Sequence, residues 1–130
     1  MKEDRLIQII SESLPSSSNY IGDDTAFIQN RDLILTQDTL VEDVHFRRTT
    51  ISAYELGIKS ISVNLSDIAA SGGIAEYLLI SLSLPSNIDE NFVREFYKGV
   101  NDICTIYNVK VVGGDITGSD KITISVSAIG

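Results

Sequence analysis

Hydrophobic residues recur along this chain with two periods, one helical and one of strands. Residues 3 to 14 place Leu6, Ile9, Ile10 and Leu14 at helical spacing, and Pro15 ends that helix. "PSSSNYIGDD" follows as a loop of small and polar residues. "TAFIQN" and "DLILTQD" are short apolar runs joined by the turn-like "QNRD", which predicts a β-hairpin. "ISAYELGIKSISVNLSDIAASGG" opens with Ser52 and carries Glu55 three residues later, a capping box. Its body reads as a long helix closed by Gly72 and Gly73. "EYLLISLSLP" is a strand ending at Pro85. The stretch from Asn87 to Asn108 has Asn87 or Asp89 as cap and sets Phe92, Phe96, Val100, Ile103 and Tyr107 on one helical face. "VKVVGG" and "KITISVSAIG" are two further strands. In the second, Ile122, Ile124, Val126 and Ala128 alternate with Lys121, Thr123, Ser125 and Ser127.

The order is α, β, β, α, β, α, β, β. Strands occur in adjacent pairs as well as around helices, so the expected class is α+β, with a mixed or antiparallel sheet of four to five strands packed with helices. No repeat or low-complexity linker interrupts residues 1–130, which read as one domain. The chain stops directly after an apolar strand, as at a cut between domains.

Composition narrows the picture modestly. The 130 residues are 43% hydrophobic with two prolines, the profile of a globular domain. No apolar run reaches the roughly 20 residues that cross a bilayer. The charged start, Met1 to Arg5, leads into no signal-peptide core, so the expected location is cytoplasmic and no membrane partner is expected. Cys104 is the only cysteine and reads as a small core residue. With 18 acidic and 10 basic residues the net charge is −8. Nucleic-acid binding needs a basic footprint against phosphate and is excluded. The surplus of carboxylates suits cation binding and mere solubility equally.

The placement of the acids says more. Asp23 and Asp24 precede a strand, Asp38 is expected just after one, Asp67 lies in the long helix, and Asp115 follows "VKVVGG". Carboxylates gathered from separate segments repel one another unless protonated or bridged by a cation. Hard oxygen ligands without clustered Cys or His favour Mg²⁺ over zinc, and Mg²⁺ is commonly completed by substrate phosphates. Each acid taken singly also suits a turn or cap. Asp67 fits that reading least, because a mid-helix aspartate in an apolar segment is costly to bury unpaired. Ser60, Asn64 and Asp67 fall on one helical stripe, which is either a solvent face or a functional one. "GGDITGSD" lacks the lysine and hydroxyl of a P-loop. Gly113 and Gly114 form either a turn or bulge, or a place where backbone approaches a phosphate. His45, in "VEDVHF", has no second histidine beside it and no nucleophile motif nearby. It is either structural or a contact to an anion.

Taken in order, "GDD", "TQDTLVEDVHF", "GIKSISVNLSDIAASGG", "LSLP", "EFYKGV" and "VVGGDITGS" resemble the N-terminal part of thiamine-monophosphate kinases. More broadly they resemble the superfamily of aminoimidazole ribonucleotide synthetase, selenophosphate synthetase and the hydrogenase-maturation dehydratase. The resemblance runs from about Ile21 to Gly130.

It implies transfer of the γ-phosphoryl group of ATP onto thiamine monophosphate, giving thiamine diphosphate, with several Mg²⁺ ions and no protein nucleophile. By position it implies metal ligation by Asp24, Thr36, Gln37, Asp38, Asp67 and Asp115. It implies nucleotide contacts at Asp24, Tyr97, Gly114 and Asp115, and a substrate contact at His45. Asn64 and Ser66 would support Asp67. It also implies a homodimer closed through a shared β-barrel, to which "KITISVSAIG" and "LLISLSL" could offer apolar faces. A second domain, which in such kinases supplies further acids and most of the thiamine pocket, is absent from these 130 residues, so the domain alone is expected to be inactive. The pattern departs from such kinases at Gln37, where threonine is more usual, and at Asp43, where glycine is. Selenophosphate synthetase would carry a reactive Cys or Sec near the N-terminus, which this chain lacks. A hydrogenase-maturation reaction and a non-catalytic dimerisation module stay open as alternatives.

Overall fold

The computed structural model describes residues 2–23 and 25–130. Its elements are α1 (Glu3–Ser13), β1 (Ala26–Ile28), β2 (Leu33–Val41), α2 (Ala53–Ala70), β3 (Tyr77–Leu84), α3 (Glu90–Tyr107), β4 (Lys110–Gly118) and β5 (Thr123–Ile129), in the predicted order. They build one mixed sheet of order β1-β2-β5-β3-β4. β5 lies between β2 and β3, antiparallel to both, while β3 and β4 run parallel. A parallel pair needs a crossover, and α3 supplies it.

Local signals set the helix ends. Ser52 accepts from the Glu55 amide and Glu55 reaches back, completing the box. Of the two candidate caps for α3, Asp89 is the one used, accepting from the Phe92 amide at 2.8 Å. Helix α2 ends through Gly72 at φ 85°, with the Gly73 amide bonded to the Ile68 carbonyl.

Helices α2 and α3 pack on each other and cover one face of the sheet. The core beneath them joins Ile34 and Leu40 of β2, Leu78, Ile80 and Leu82 of β3, and Ile124, Val126 and Ala128 of β5 to Leu56, Ile61 and Ile68 of α2 and Phe96, Val100 and Ile103 of α3. Each of these side chains other than Ala128 contributes roughly 1.5–3 kcal/mol by leaving water. The helices touch through glycines. A Cβ on Gly57 would lie 2.1 Å from the Phe96 carbonyl oxygen, and one on Gly99 would lie 2.1 Å from that of Tyr54. The Tyr54 hydroxyl donates to Asp102 across the same contact.

Four expectations change. Strand β2 does not end at Asp38 but continues to Val41, because Ile34, Thr36, Asp38 and Leu40 share the helix-covered face. β4 does not stop at Gly114 but runs to Gly118, so Asp115 lies within a strand. The apolar alternates of "KITISVSAIG" and "LLISLSL" are used under the helices. The opposite face carries Ser81, Ser83, Thr123, Ser125 and Ser127, with Thr39 bonded to Ser125 and Ser83 to Thr117, each at 2.9 Å. Helix α1 forms, yet none of its residues is buried, and Leu6, Ile9, Ile10 and Leu14 are exposed.

Candidate functional site

Polar groups are buried both on α2 and on β2, two elements that pack on each other. Thr36 is buried and Asp38 half-buried on the covered face of β2, and Oδ2 of Asp38 is shut off from solvent. On α2, Ser60 and Asn64 are fully buried, so the stripe they share with Asp67 is not a solvent face. Ser60 donates to the Leu56 carbonyl at 2.7 Å, and Asn64 Nδ2 donates to the Ser60 carbonyl at 3.0 Å. Asn64 Oδ1 is buried with no hydrogen-bond partner among the described residues. An orphaned buried acceptor costs on the order of 1–3 kcal/mol. Hydrophobic burial gives no reason for it. Asp67, half-buried, follows one turn later, and Ser66 is exposed.

The loop before β1 reaches the same end of α2. Thr25 and Ser71 hydroxyls meet at 2.8 Å, one turn beyond Asp67. Beside them a cavity of about 680 Å³ is lined by Tyr20, Asp23, Thr25, Phe27, Ala70 and Ser71. Asp24 lies outside the described residues. Gln37 turns its side chain to the open face, so only its backbone carbonyl could serve an ion beside Thr36 and Asp38.

Asp115 is not brought to this cluster. It pairs in register with Ser81, on the face opposite Ile80, and β4 is three strands from β2, roughly 14 Å away at the usual strand spacing. No group of three or more His, Cys, Asp or Glu side chains close enough to hold a metal occurs among the described residues. The oxygens at the α2–β2 layer therefore fit Mg²⁺ by donor chemistry, as part of a coordination sphere. Gly113 and Gly114 form no turn. The register shifts so that Val112 is a bulge between Val111 and Gly113. A Cβ on Gly114 would lie 1.8 Å from the Ile80 carbonyl oxygen, so β3 itself demands that glycine.

His45 sits in a tight exposed turn after β2. Its Nδ1 accepts from the Val41 amide at 2.9 Å, which leaves Nε2 facing outward as the available donor. Two residues that sequence reasoning missed hold this turn. Glu42 is buried, accepts from the Ile122 amide at 3.0 Å and pairs with Arg48 at 2.7 Å. Lys59 Nζ donates to the His45 carbonyl. Asp43 adopts φ 68°, a left-handed conformation that suits glycine best.

Tyr97 is half-buried and lines a groove of about 360 Å³ between α3 and the start of β4. Burial pushes its phenol, and the Cys104 thiol beside it, above their ordinary pKa values. A second cavity of about 400 Å³, at the N-terminal ends of α2 and α3, contains none of the predicted site residues. No described helix is long and apolar enough to cross a membrane.

The family described as "AIR synthase related protein, N-terminal domain" matches residues 22–130, and the chain belongs to it. It is similar to the thiamine-monophosphate kinase of Aquifex aeolicus, with 46% identity over 127 residues, covering 96% of this chain and 40% of that protein. The Bacillus subtilis thiamine-monophosphate kinase is 40% identical over 114 residues, covering 85% and 35%. Among solved structures, "AaThiL complexed with AMPPCP and TMP" superposes with a TM-score of 0.92 at 45% identity, covering 98% of this chain and 41% of that one. A HypE–HypF complex superposes at 0.77 with 17% identity, covering 95% and 40%, a likeness of fold alone. The chain thus spans about 40% of the length of the relatives it matches.

Proposed function

We propose that this chain is the N-terminal, Mg-ATP-binding part of a cytoplasmic thiamine-monophosphate kinase, the partner of a C-terminal domain outside these residues. The observation that carries the reading is the unpartnered, fully buried Asn64 oxygen on α2, a helix that packs on the strand carrying buried Thr36 and half-buried Asp38. It is supported by the similarity to the kinases and to the relative complexed with AMPPCP and TMP. Mg²⁺, when bound, neutralises phosphate charge and aligns donor with acceptor for an in-line transfer. The roles of the chain's own residues are positional. Thr36, the Gln37 carbonyl, Asp38, Asp67, Asp24 and Asp115 serve as oxygen ligands to the metal ions, with Asn64 in support of Asp67. His45 offers Nε2–H to the anionic acceptor. Tyr97, Gly114 and Asp115 take the nucleotide. No side chain acts as a nucleophile, because phosphoryl transfer asks for positioning and charge stabilisation.

The remoteness of Asp115 from Asp38 is what a homodimer would have to bridge. The surfaces offered to a second copy are the open sheet face and the free edge of β4. Light scattering is expected to report a dimer at micromolar concentration, and a monomer there removes the shared barrel.

The decisive assay incubates the parent chain, with its proposed C-terminal domain, with thiamine monophosphate, ATP and Mg²⁺. Thiamine diphosphate is expected, none with EDTA, and Asp67→Asn is expected to lose most turnover while keeping its fold. Product formation that ignores EDTA would end this reading. A folded protein that binds no Mg-ATP and makes no product would favour a non-catalytic dimerisation module.

A further inference from the structure

Glu42 is a buried carboxylate to which phosphoryl transfer assigns no part. Burying a charge is costly unless its oxygens are paired and hydrogen-bonded. Here both oxygens are used. The Glu42 amide donates to the Ile122 carbonyl at 2.9 Å, and Glu42 Oε1 accepts from the Ile122 amide at 3.0 Å. One residue thus takes both backbone groups of Ile122, which is wholly buried just before β5. Oε2 accepts from Arg48 Nε, six residues on, at 2.7 Å. The carboxylate therefore ties both ends of segment 42–48 to one fixed point of the core.

His45 lies in the exposed middle of that segment. Its amide donates to the Val41 carbonyl at 2.9 Å, its carbonyl accepts from Lys59 Nζ at 3.1 Å, and its Nδ1 accepts from the Val41 amide at 2.9 Å. Because Nδ1 accepts, the proton of the neutral ring sits on Nε2. The direction and tautomer of the ring thus depend on the turn, and the turn is closed by Glu42. Apolar contact is not directional, whereas charge-assisted hydrogen bonds fix a geometry.

We propose that Glu42 is a positioning residue for the acceptor phosphate. It closes the 42–48 turn on Ile122, so that His45 presents Nε2–H in one direction and one tautomer. The inference rests on the kinase reading, in which His45 meets the acceptor, and deepens it by naming the group that aims the histidine.

The test uses the parent chain carrying Glu42→Gln, His45→Gln or both, with initial rates measured against thiamine monophosphate and against ATP. A Gln amide has oxygen on one side only, so it answers the Ile122 amide or Arg48 and turns an N–H on the other. Glu42→Gln is expected to raise the KM for thiamine monophosphate about tenfold, the weight of one hydrogen bond to a charged group, and to leave the KM for ATP unchanged. In the His45→Gln background it is expected to add nothing, because it acts through the histidine. NMR of the ring nitrogens, assigned with His45→Gln, is expected to show the Nε2–H tautomer in the unsubstituted chain and an averaged ring in Glu42→Gln. Should Glu42→Gln not fold, Arg48→Met frees the same carboxylate from its half-exposed partner and carries the same expectations.

An unchanged KM for thiamine monophosphate in Glu42→Gln or in His45→Gln, equal rises for both substrates, or a full further loss in the double variant overturns the assignment. The kinase reading fails separately, if the unsubstituted parent chain makes no thiamine diphosphate. The ring nitrogens then decide alone. An unaltered His45 ring in Glu42→Gln removes the positioning role, and an averaged one keeps it for an anion other than thiamine monophosphate.

Discussion

Helices α2 and α3 are each 18 residues long and lie side by side on one sheet, yet they bury different kinds of side chain. The buried residues of α3 are Phe96, Gly99, Val100, Ile103 and Cys104, which solve a packing problem. Those of α2 include Ser60 and Asn64 in the middle of the run. A helix selected for stability alone would look like α3. Strand β2, on which α2 packs, likewise covers Thr36 and Asp38, so both elements give up apolar burial at these positions. The contrast separates residues that hold the domain together from buried polar residues that contribute little to that packing.

Four substitutions would break or sharpen that contrast. The largest effect is expected from Phe96→Ala, which empties a fully buried site on α3 and should cost about 4 kcal/mol in urea unfolding. Gly99→Ala comes next, at about 3 kcal/mol, because its new methyl meets the Tyr54 carbonyl rather than a yielding side chain. Asn64→Leu should behave in the opposite sense. Removing the orphaned oxygen is expected to raise stability by about 1 kcal/mol while abolishing the rise in Tm given by Mg-ATP. A large loss of stability there would make Asn64 an ordinary core residue.

Tyr54→Phe should leave Tm at neutral pH almost unchanged, since its hydroxyl links the helices at a partly exposed position. The link has a pH signature. Hydrogen bonding to the Asp102 carboxylate is the main cause raising the Tyr54 phenol above its ordinary value, followed by burial and by the charges of Asp102 and Glu95. A raised folded-state pKa means that the link's contribution is fully present below pH ~10, the unfolded value, and is lost as pH rises through the folded one. Absorbance titration should show two tyrosines, Tyr54 and Tyr97, ionising late, and in Tyr54→Phe that late component should fall by one phenol.

The elements were legible in the sequence because most obey a single period. The Ser52–Glu55 box, the Asp89 cap and the alternation of β5 each carry their own local signal. Asp38 was misplaced because a carboxylate looks like the end of an apolar run, although Leu40 continues the same face two residues later. β4 was cut short because it is exposed along its whole length, and a strand without a covered side has no alternation to read. The site was legible only as a set of residue types. Sequence could nominate Asp67, but the orphaned Asn64 oxygen exists only once α2 lies on β2. Glu42 and Arg48 read as two more surface charges, since their partnership depends on the Ile122 amide 80 residues away. The α1 stripe carried a core-like signal with nothing over it, because periodicity reports that a helix has an apolar side and not what covers it.

The hydroxyl rows on the open sheet face bear on how any second copy would bind. Closing over Ser81, Ser83, Ser125 and Ser127 takes hydroxyls out of water, while Tyr77 and Leu79 at the other end of the same face bury apolar surface. Association through that face would therefore carry a smaller change in heat capacity than an all-apolar interface of equal area, and would loosen less in the cold.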